Sequence, residues 1–234
     1  MEQENAIMKS SVLETKENSI KILAVSGDDV TIKYDTITGN NPSAYGNYIA
    51  IWQSDNQVPW GEPPIKTQSI ENTSPSGTVI FDELDITNES YIIGYSNVPY
   101  NENVNNFCAT GFIEPVVTNR NFDNQDNYAN VKIKLDRVES NAVKFNYITL
   151  PGYSPGDNMN WMGIWEGSQD IFKAKPKYTK KVDKYTDQGT VSFNNVIMKR
   201  GTRYVAGYFM NGWDSSTAKL NQSGLACKVV FSVD

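Results

Sequence analysis

The chain repeats itself at one nearly constant offset, and this constrains its fold more than any other feature of the sequence. Ile20-Lys21-Ile22 returns as Ile133-Lys134-Leu135, and Val30, Tyr34 and Gly39 return as Val143, Tyr147 and Gly152, each 113 positions on. Ile51-Trp52 returns as Ile164-Trp165 and Tyr91-x-x-Gly94-Tyr95 as Tyr204-x-x-Gly207-Tyr208, again at 113. Gly77-Thr78-Val79 with Phe81 returns as Gly189-Thr190-Val191 with Phe193 at 112. Cys108 with Phe112 returns as Cys227 with Phe231 at 119, which places six extra residues in the last loop of the second copy. In 234 residues, two copies of roughly 100 each have room for a self-sufficient core. This reading divides the chain into a leader at 1–18 that is a flexible or docking arm, a first repeat at 19–115, a linker at 116–129 and a second repeat at 130–234.

Within each copy the apolar residues alternate with period two in short runs separated by Gly, Pro, Asn and Asp clusters, and no stretch has the 3.6-residue period of a long helix. The runs predict strands near 20–24, 29–37, 48–52, 65–70, 78–84, 90–96 and 108–113. In the second copy they fall near 131–135, 142–149, 161–166, 178–182, 190–196, 202–209 and 227–233. Seven strands in about 100 residues is the pattern of an immunoglobulin-like sandwich. The expected fold class is therefore all-β, with two tandem homologous immunoglobulin-like β-sandwich domains.

Asn47-Tyr48-Ile49-Ala50-Ile51-Trp52, and more closely Asn160-Trp161-Met162-Gly163-Ile164-Trp165, resemble the D-W-[IV]-G-[IL]-[FW] third strand of SKICH domains. The resemblance covers each repeat from about its second strand to its last. It implies an immunoglobulin-like fold and a localisation or protein-binding role without catalysis. The phosphatase domain or coiled coil that accompanies SKICH domains has no counterpart here.

Several chemistries are excluded or disfavoured by composition. The chain contains no histidine, which removes Ser-His and Cys-His nucleophiles and every histidine-ligated metal. It has no phosphate-binding Gly-rich loop. Asp28-Asp29, Asp82-Glu83 and Asp85 lie beside predicted turns and read as solvated charge rather than as a glycosidase pair. Cys108 and Cys227 occupy equivalent strand positions, so each reads as a small buried hydrophobe rather than half of a disulfide. Asp123, Gln125, Asp126 and Asn127 place oxygen donors in the linker but lack the Gly and terminal Glu of a calcium loop, so a hydrated connector is expected. Neither a cofactor nor a metal is expected. Residues 1–18 carry six charges and no apolar run, and no stretch reaches the length of a membrane span, so the expected location is cytoplasmic.

Binding surfaces remain. Trp52 and Trp165 recur inside a strand and are expected in the cores. Trp60, Tyr100, Tyr153 and Trp213 fall in predicted loops, where aromatics beside Asn and Asp can stack on and hydrogen-bond a ligand. Loops after the second and sixth strands share one end of such a sandwich, which would gather Asn40, Asn41 and Tyr45 near Tyr100, and Tyr153, Asp157 and Asn158 near Trp213. Tyr100, Tyr153, Asn158 and Trp213 are the candidate ligand-binding set.

Charge divides the copies: 19–115 has 3 Lys+Arg against 12 Asp+Glu, a net −9, whereas 130–234 has 15 against 9, a net +6. Lys173, Lys175, Lys177, Lys180, Lys181 and Lys184 crowd the predicted fourth strand of the basic copy. Such a row guards an edge strand against pairing, binds an anionic surface or nucleic acid, or meets the acidic copy of another molecule. The overall acidity and scarcity of arginine disfavour nucleic acid. The sequence therefore points to a non-enzymatic interaction or self-assembling protein, its partner another protein or a second copy met head to tail. The alternative is a carbohydrate-binding protein that uses its loop aromatics.

Overall fold

The computed structural model describes residues 7–55, 57–101, 106–115 and 124–234. These residues form an all-β chain of antiparallel sheets with no α-helix, and its strands lie within a few residues of all fourteen expected ones. Two strands were not anticipated: β1 (Ser10–Glu17) in the leader, and β9 (Tyr128–Asn130), which follows a 3-10 turn (Gln125–Asn127) at the end of the linker.

The strands sort into two compact units, neither of which is one continuous stretch of chain. The N-unit comprises Asn18–Val131 together with Leu150–Tyr153. Its strands are β2 (Ser19–Val25), β3 (Val30–Asp35), β4 (Tyr48–Gln53), β5 (Lys66–Ser69), β6 (Ser76–Phe81), β7 (Tyr91–Ser96), β8 (Phe107–Ile113) and β9. They form a three-stranded sheet, β2-β3-β6, and a five-stranded sheet, β5-β4-β7-β8-β9. The C-unit comprises Met1–Glu17, Lys132–Thr149 and Ser154–Asp234. It holds β1, β10 (Lys132–Val138), β11 (Ala142–Ile148), β12 (Trp161–Glu166), β13 (Tyr178–Lys181), β14 (Gln188–Asn194), β15 (Thr202–Phe209) and β16 (Leu225–Val233). Its sheets run β10-β11-β14 and β13-β12-β15-β16-β1, the same order as in the N-unit.

The leader is thus no free arm over Ser10–Glu17. It pairs antiparallel with β16 from Ser10↔Val233 to Glu17↔Cys227, and Lys228 Nζ lies 3.0 Å from Glu14 Oε1. Likewise the end of the linker pairs with β8 from Ala109↔Asn130 to Gly111↔Tyr128. Both were missed for one physical reason. Both are edge strands held by the backbone ladder, β1 with mostly solvated side chains and β9 only three half-buried residues long, so neither leaves an apolar period to read.

Each unit packs its two sheets face to face. Alternation on β3 and β11 sends Val30, Ile32 and Tyr34, and Val143, Phe145 and Tyr147, inward. Tyr34 stacks on Tyr95 of the facing sheet at 6.2 Å, and Phe145 meets Phe231 edge-on at 5.9 Å. β4, β7 and β12 depart from alternation because loops cover their second face, so their runs are apolar throughout. Trp52 and Trp165 are buried, their indoles donating to the carbonyls of Glu62 (3.1 Å) and Ala174 (2.8 Å) in the loop after their own strand. Both cysteines are free and buried, and burial pushes the Cys108 thiol up to about 12. Asn18, where the chain passes from β1 to β2, is buried as well. Its Oδ1 accepts from Ile37 N at 3.1 Å and its Nδ2 donates to Cys108 Sγ at 3.5 Å.

Removing residues 1–17 would expose the whole of β16 as an edge. Calorimetry is expected to show the C-unit transition falling by more than about 5 °C, the shift that about 1 kcal/mol produces in a domain of this size. The N-unit transition should stay in place.

Candidate interaction surfaces

The expected lysine row lies on an edge. β13 is the outermost strand of its sheet, bonded only to β12, with Trp161↔Lys181 and Met162↔Lys180 in register. Successive residues point to opposite faces, so Lys180 and Lys181 leave the strand in different directions and do not form one flat patch. Lys177 is tied to Glu166 and sits 5.4 Å from the Tyr178 ring centroid, while Lys199 holds the other Glu166 oxygen at 3.0 Å. Lys173 lies 3.6 Å from Asp170. Among the described residues no ion pair engages Lys175, Lys180, Lys181 or Lys184, and all but Lys181 are exposed. Within the row these four are open to a partner.

An acidic counterpart lies at one end of the N-unit. The β2–β3 turn and the loop after β6 are joined by Leu84 N donating to Asp28 O at 2.9 Å and Ile86 N to Gly27 O at 2.8 Å. That pairing brings together Asp28, Asp29, Asp82, Glu83 and Asp85, all exposed, with Lys66 as the cation beside Asp82 at 3.4 Å. Allotting the segments to their units keeps the charge division. The N-unit has 4 Lys+Arg against 14 Asp+Glu, a net −10, and the C-unit 17 against 13, a net +4.

The loop aromatics separate. Tyr153 is buried, not an exposed contact residue, and it belongs to the N-unit rather than standing beside Trp213. Its hydroxyl donates to Asn106 Oδ1 at 2.5 Å and its ring centre lies 5.2 Å from that of Trp60. Trp60 is half-buried, its indole donating to Pro151 O at 2.8 Å. Leu150 completes this groove among Tyr48, Ala50, Trp52, Val58, Ile92 and Phe107. Asn40 and Tyr153 occupy matching repeat positions, which explains the divergence. Asn40 is buried, and its Nδ2 reaches Thr36 Oγ1, Asn47 Oδ1 and Tyr95 OH within 3.4 Å.

Tyr100 is 45% exposed, its ring edge-on to Tyr48 at 5.3 Å. The loops after β3 and β7 do share an end of the N-unit: a Cβ on Gly46 would stand 3.2 Å from Pro99. In the C-unit, Trp213 N donates to Met159 O at 3.1 Å and Gly156 N to Lys184 O at 2.7 Å, so three loops converge at one end. Asn158 is half-buried and donates to Ser154 O at 2.8 Å, and Asp157 accepts from Ser154 Oγ at 2.6 Å. Sequence reasoning passed over two residues here. Tyr185 is 71% exposed beside Lys184, and Met159 is exposed with φ 55° where the matching Gly46 has φ 64°. Only an offset comparison of loop glycines could have found Met159.

Asp123 lies outside the described residues, and Asp126 is exposed with its backbone N–H on Asn124 Oδ1 at 3.1 Å. Among the described residues no three His, Cys, Asp or Glu side chains are placed to hold a metal, and no helix is long and apolar enough to cross a membrane.

No family model matches the chain and no curated protein does. Solved structures give faint likenesses. A purple acid phosphatase from yellow lupin seeds shares 11% identity at a TM-score of 0.27, over 82% of this chain and 38% of its own. The chicken CNTN1 FN1–FN3 domains share 11% at 0.25, over 99% and 67%. A DUF3823 family protein from Bacteroides uniformis shares 8% at 0.27, over 91% and 96%. The chain spans well under two thirds of the phosphatase, and none of these likenesses carries an argument about activity.

The Glu166 cluster yields a pH dependence. Hydrogen bonds first from Lys177 and then from Lys199 hold the Glu166 carboxyl below the usual carboxylate range, and the bond to Glu166 raises Lys177. A lowered acid stabilises the fold above its ordinary pKa, and that contribution is lost as pH falls through the lowered value. Because the cluster is solvent-facing, Glu166→Gln is expected to cost less than about 1 kcal/mol at neutral pH and nothing in strong acid. Urea titrations at both pH values check this.

Proposed function

We propose that this chain is a non-enzymatic interaction protein that assembles with copies of itself, the acidic N-unit of one molecule meeting the basic C-unit of the next. One observation carries the reading: exposed carboxylates gathered at an end of the N-unit face no comparable cation, while four unpaired lysines crowd the β13 edge. Opposite patches steer encounter and fix orientation, and because they lie on different units the contact is heterologous and can propagate into a chain. The interaction role implied by the SKICH-like third strand agrees with it. Lysines on an edge also oppose strand-to-strand pairing, so the partner is met by side chains and not by extending the sheet.

Light scattering across salt tests the reading. Mass should grow with protein concentration at low salt and fall toward one chain as salt shortens the screening length to roughly 8 Å and below. Reversing Lys175, Lys180, Lys181 and Lys184 to Glu is expected to abolish the growth and leave the melting temperature nearly unchanged. A mass that stays that of one chain at low salt would refute the assembly.

A second reading, glycan binding by the loop end of the C-unit, is favoured by Met159. An exposed side chain is held there in the left-handed region beside Trp213, at a cost of order 1 kcal/mol that glycine would avoid. If that end binds sugar, Trp213→Ala should abolish glycan-array signal while shifting stability by no more than about 1 kcal/mol. Retained signal would dismiss the site.

A further inference from the structure

The turn Leu150–Tyr153 lies in sequence between two strands of the C-unit, yet it is an integral part of the N-unit. The groove that holds it is built from residues 48–107 with Ala129 packed beside them, and each position is read by different chemistry. Leu150, 1% exposed, fills an apolar pocket whose walls are Tyr48, Trp52 and Phe107. Pro151 offers its carbonyl to the Trp60 indole at 2.8 Å. Gly152 has φ 74°, which favours glycine, and a Cβ there would crowd Trp60 Cδ1 and Nε1 at 3.2 Å. Tyr153 meets the tilted Trp60 ring and donates to the buried Asn106.

The matching turn of the other copy shows that this docking is specific to the sequence rather than to the fold. It has the same local geometry: Asn40 N donates to Ile37 O at 2.9 Å as Tyr153 N does to Leu150 O at 3.1 Å, and Gly39, like Gly152, has positive φ. Asn40 turns into its own sandwich on three side-chain acceptors. The Leu-Pro-Gly-Tyr version is a plug, and the aromatic groove is its receptor, four residues recognised by pocket, carbonyl, backbone conformation and ring in turn.

We propose that this groove also accepts the Leu150–Tyr153 turn of a second copy of this chain, and that the exchange is the apolar part of the head-to-tail contact. The inference rests on the self-assembly reading above and names residues for it. Plug and groove are present on every chain, so the contact made within one molecule is available between two. Charge favours that pairing: the groove sits on the unit of net −10, and the plug is flanked on both sides by segments of the unit of net +4. The tethered plug competes at an effective concentration on the order of millimolar, so exchange becomes dominant where the tethered copy is impaired or the protein is concentrated.

Complementation between two full-length variants tests this. Trp60→Ala removes the receptor and keeps the plug; Gly152→Ala spoils the plug and keeps the receptor. At roughly 0.5 M salt, where the charge-driven contact is screened, each alone should remain a single chain by light scattering, whereas an equimolar mixture should form a one-to-one complex at least tenfold tighter than either self-association. The complex should persist at roughly 0.5 M salt, where exposed charges are screened within about 4 Å. That persistence separates it from the charge-driven contact, which lysine reversal alone removes. Tyr153→Ala replaces Gly152→Ala if the latter fails to fold by circular dichroism. As a second readout, a peptide spanning residues 148–155 should quench tryptophan fluorescence of the plug-impaired chain saturably, and the same chain carrying Trp60→Ala should not respond. Folded variants whose mixture stays monomeric at roughly 0.5 M salt would overturn the inference, whether or not the peptide binds.

Discussion

The fold depends on two backbone ladders at sheet edges, β1 on β16 and β9 on β8. A sandwich whose larger sheet ended at β16 would offer a nine-residue strand, six of its residues Leu, Val, Phe or Cys, with unpaired N–H and C=O groups, a template for aggregation. Here each such edge is closed by the extended segment that precedes the other unit's first core strand. The crossing between roles takes a single residue at Asn18, which is why its amide is buried and bonded on both sides instead of sitting in a solvated loop. The C-unit is completed by a strand more than 200 positions away and the N-unit by the segment that leads into β10, so both closing strands are part of stability rather than ornament.

The two units show how one strand order can be specialised by a few substitutions. Trp161 stacks flat on Phe209 at 4.0 Å in the C-unit, whereas the matching Tyr48 meets Phe107 and Tyr100 edge-on and leaves the outer face of β4 open to a proline-containing turn. Asn40 anchors its turn inward; Tyr153 cannot, and is sent to an aromatic groove. Met159 occupies a left-handed position that Gly46 fills without strain. Core positions tolerate little of this variation because dense packing penalises volume changes, so the differences gather in loops at the sandwich ends.

Much of the architecture was legible in the sequence because it is written in side chains. The alternation of Val30, Ile32 and Tyr34, the recurring Ile-Trp pairs and the equivalent placement of Cys108 and Cys227 each report a buried face. What could not be read is written in the backbone or in pairings distant along the chain. Nothing in Ser-Ser-Val-Leu-Glu-Thr-Lys-Glu says that it will lie beside residues more than 200 positions away, since its side chains are largely solvated either way. Tyr153 failed as an exposed contact residue for a related reason: a loop aromatic beside Pro and Gly suits a ligand platform and an internal plug equally, and only Trp60 and Asn106 decide between them. The lysines were visible as a row, but not that Glu166 claims one of them or that alternation divides the rest between two faces.

The pairing of Ser10 with Val233 imposes an order on biosynthesis. Once residue 153 has left the ribosome the N-unit has every strand it needs, with its groove and its plug both present. The C-unit has none of that advantage: β1 is made before every strand of the N-unit and its partner β16 after every other strand of its own sheet, so that sheet cannot close until β16 has been made. During that interval β1 is a tethered, unpartnered strand, and closing so long a separation adds an entropic cost that grows only slowly with length but delays the final contacts. The N-unit is thus the part that can fold during synthesis, and the C-unit the part most exposed to chaperones and to neighbouring nascent chains of its own kind.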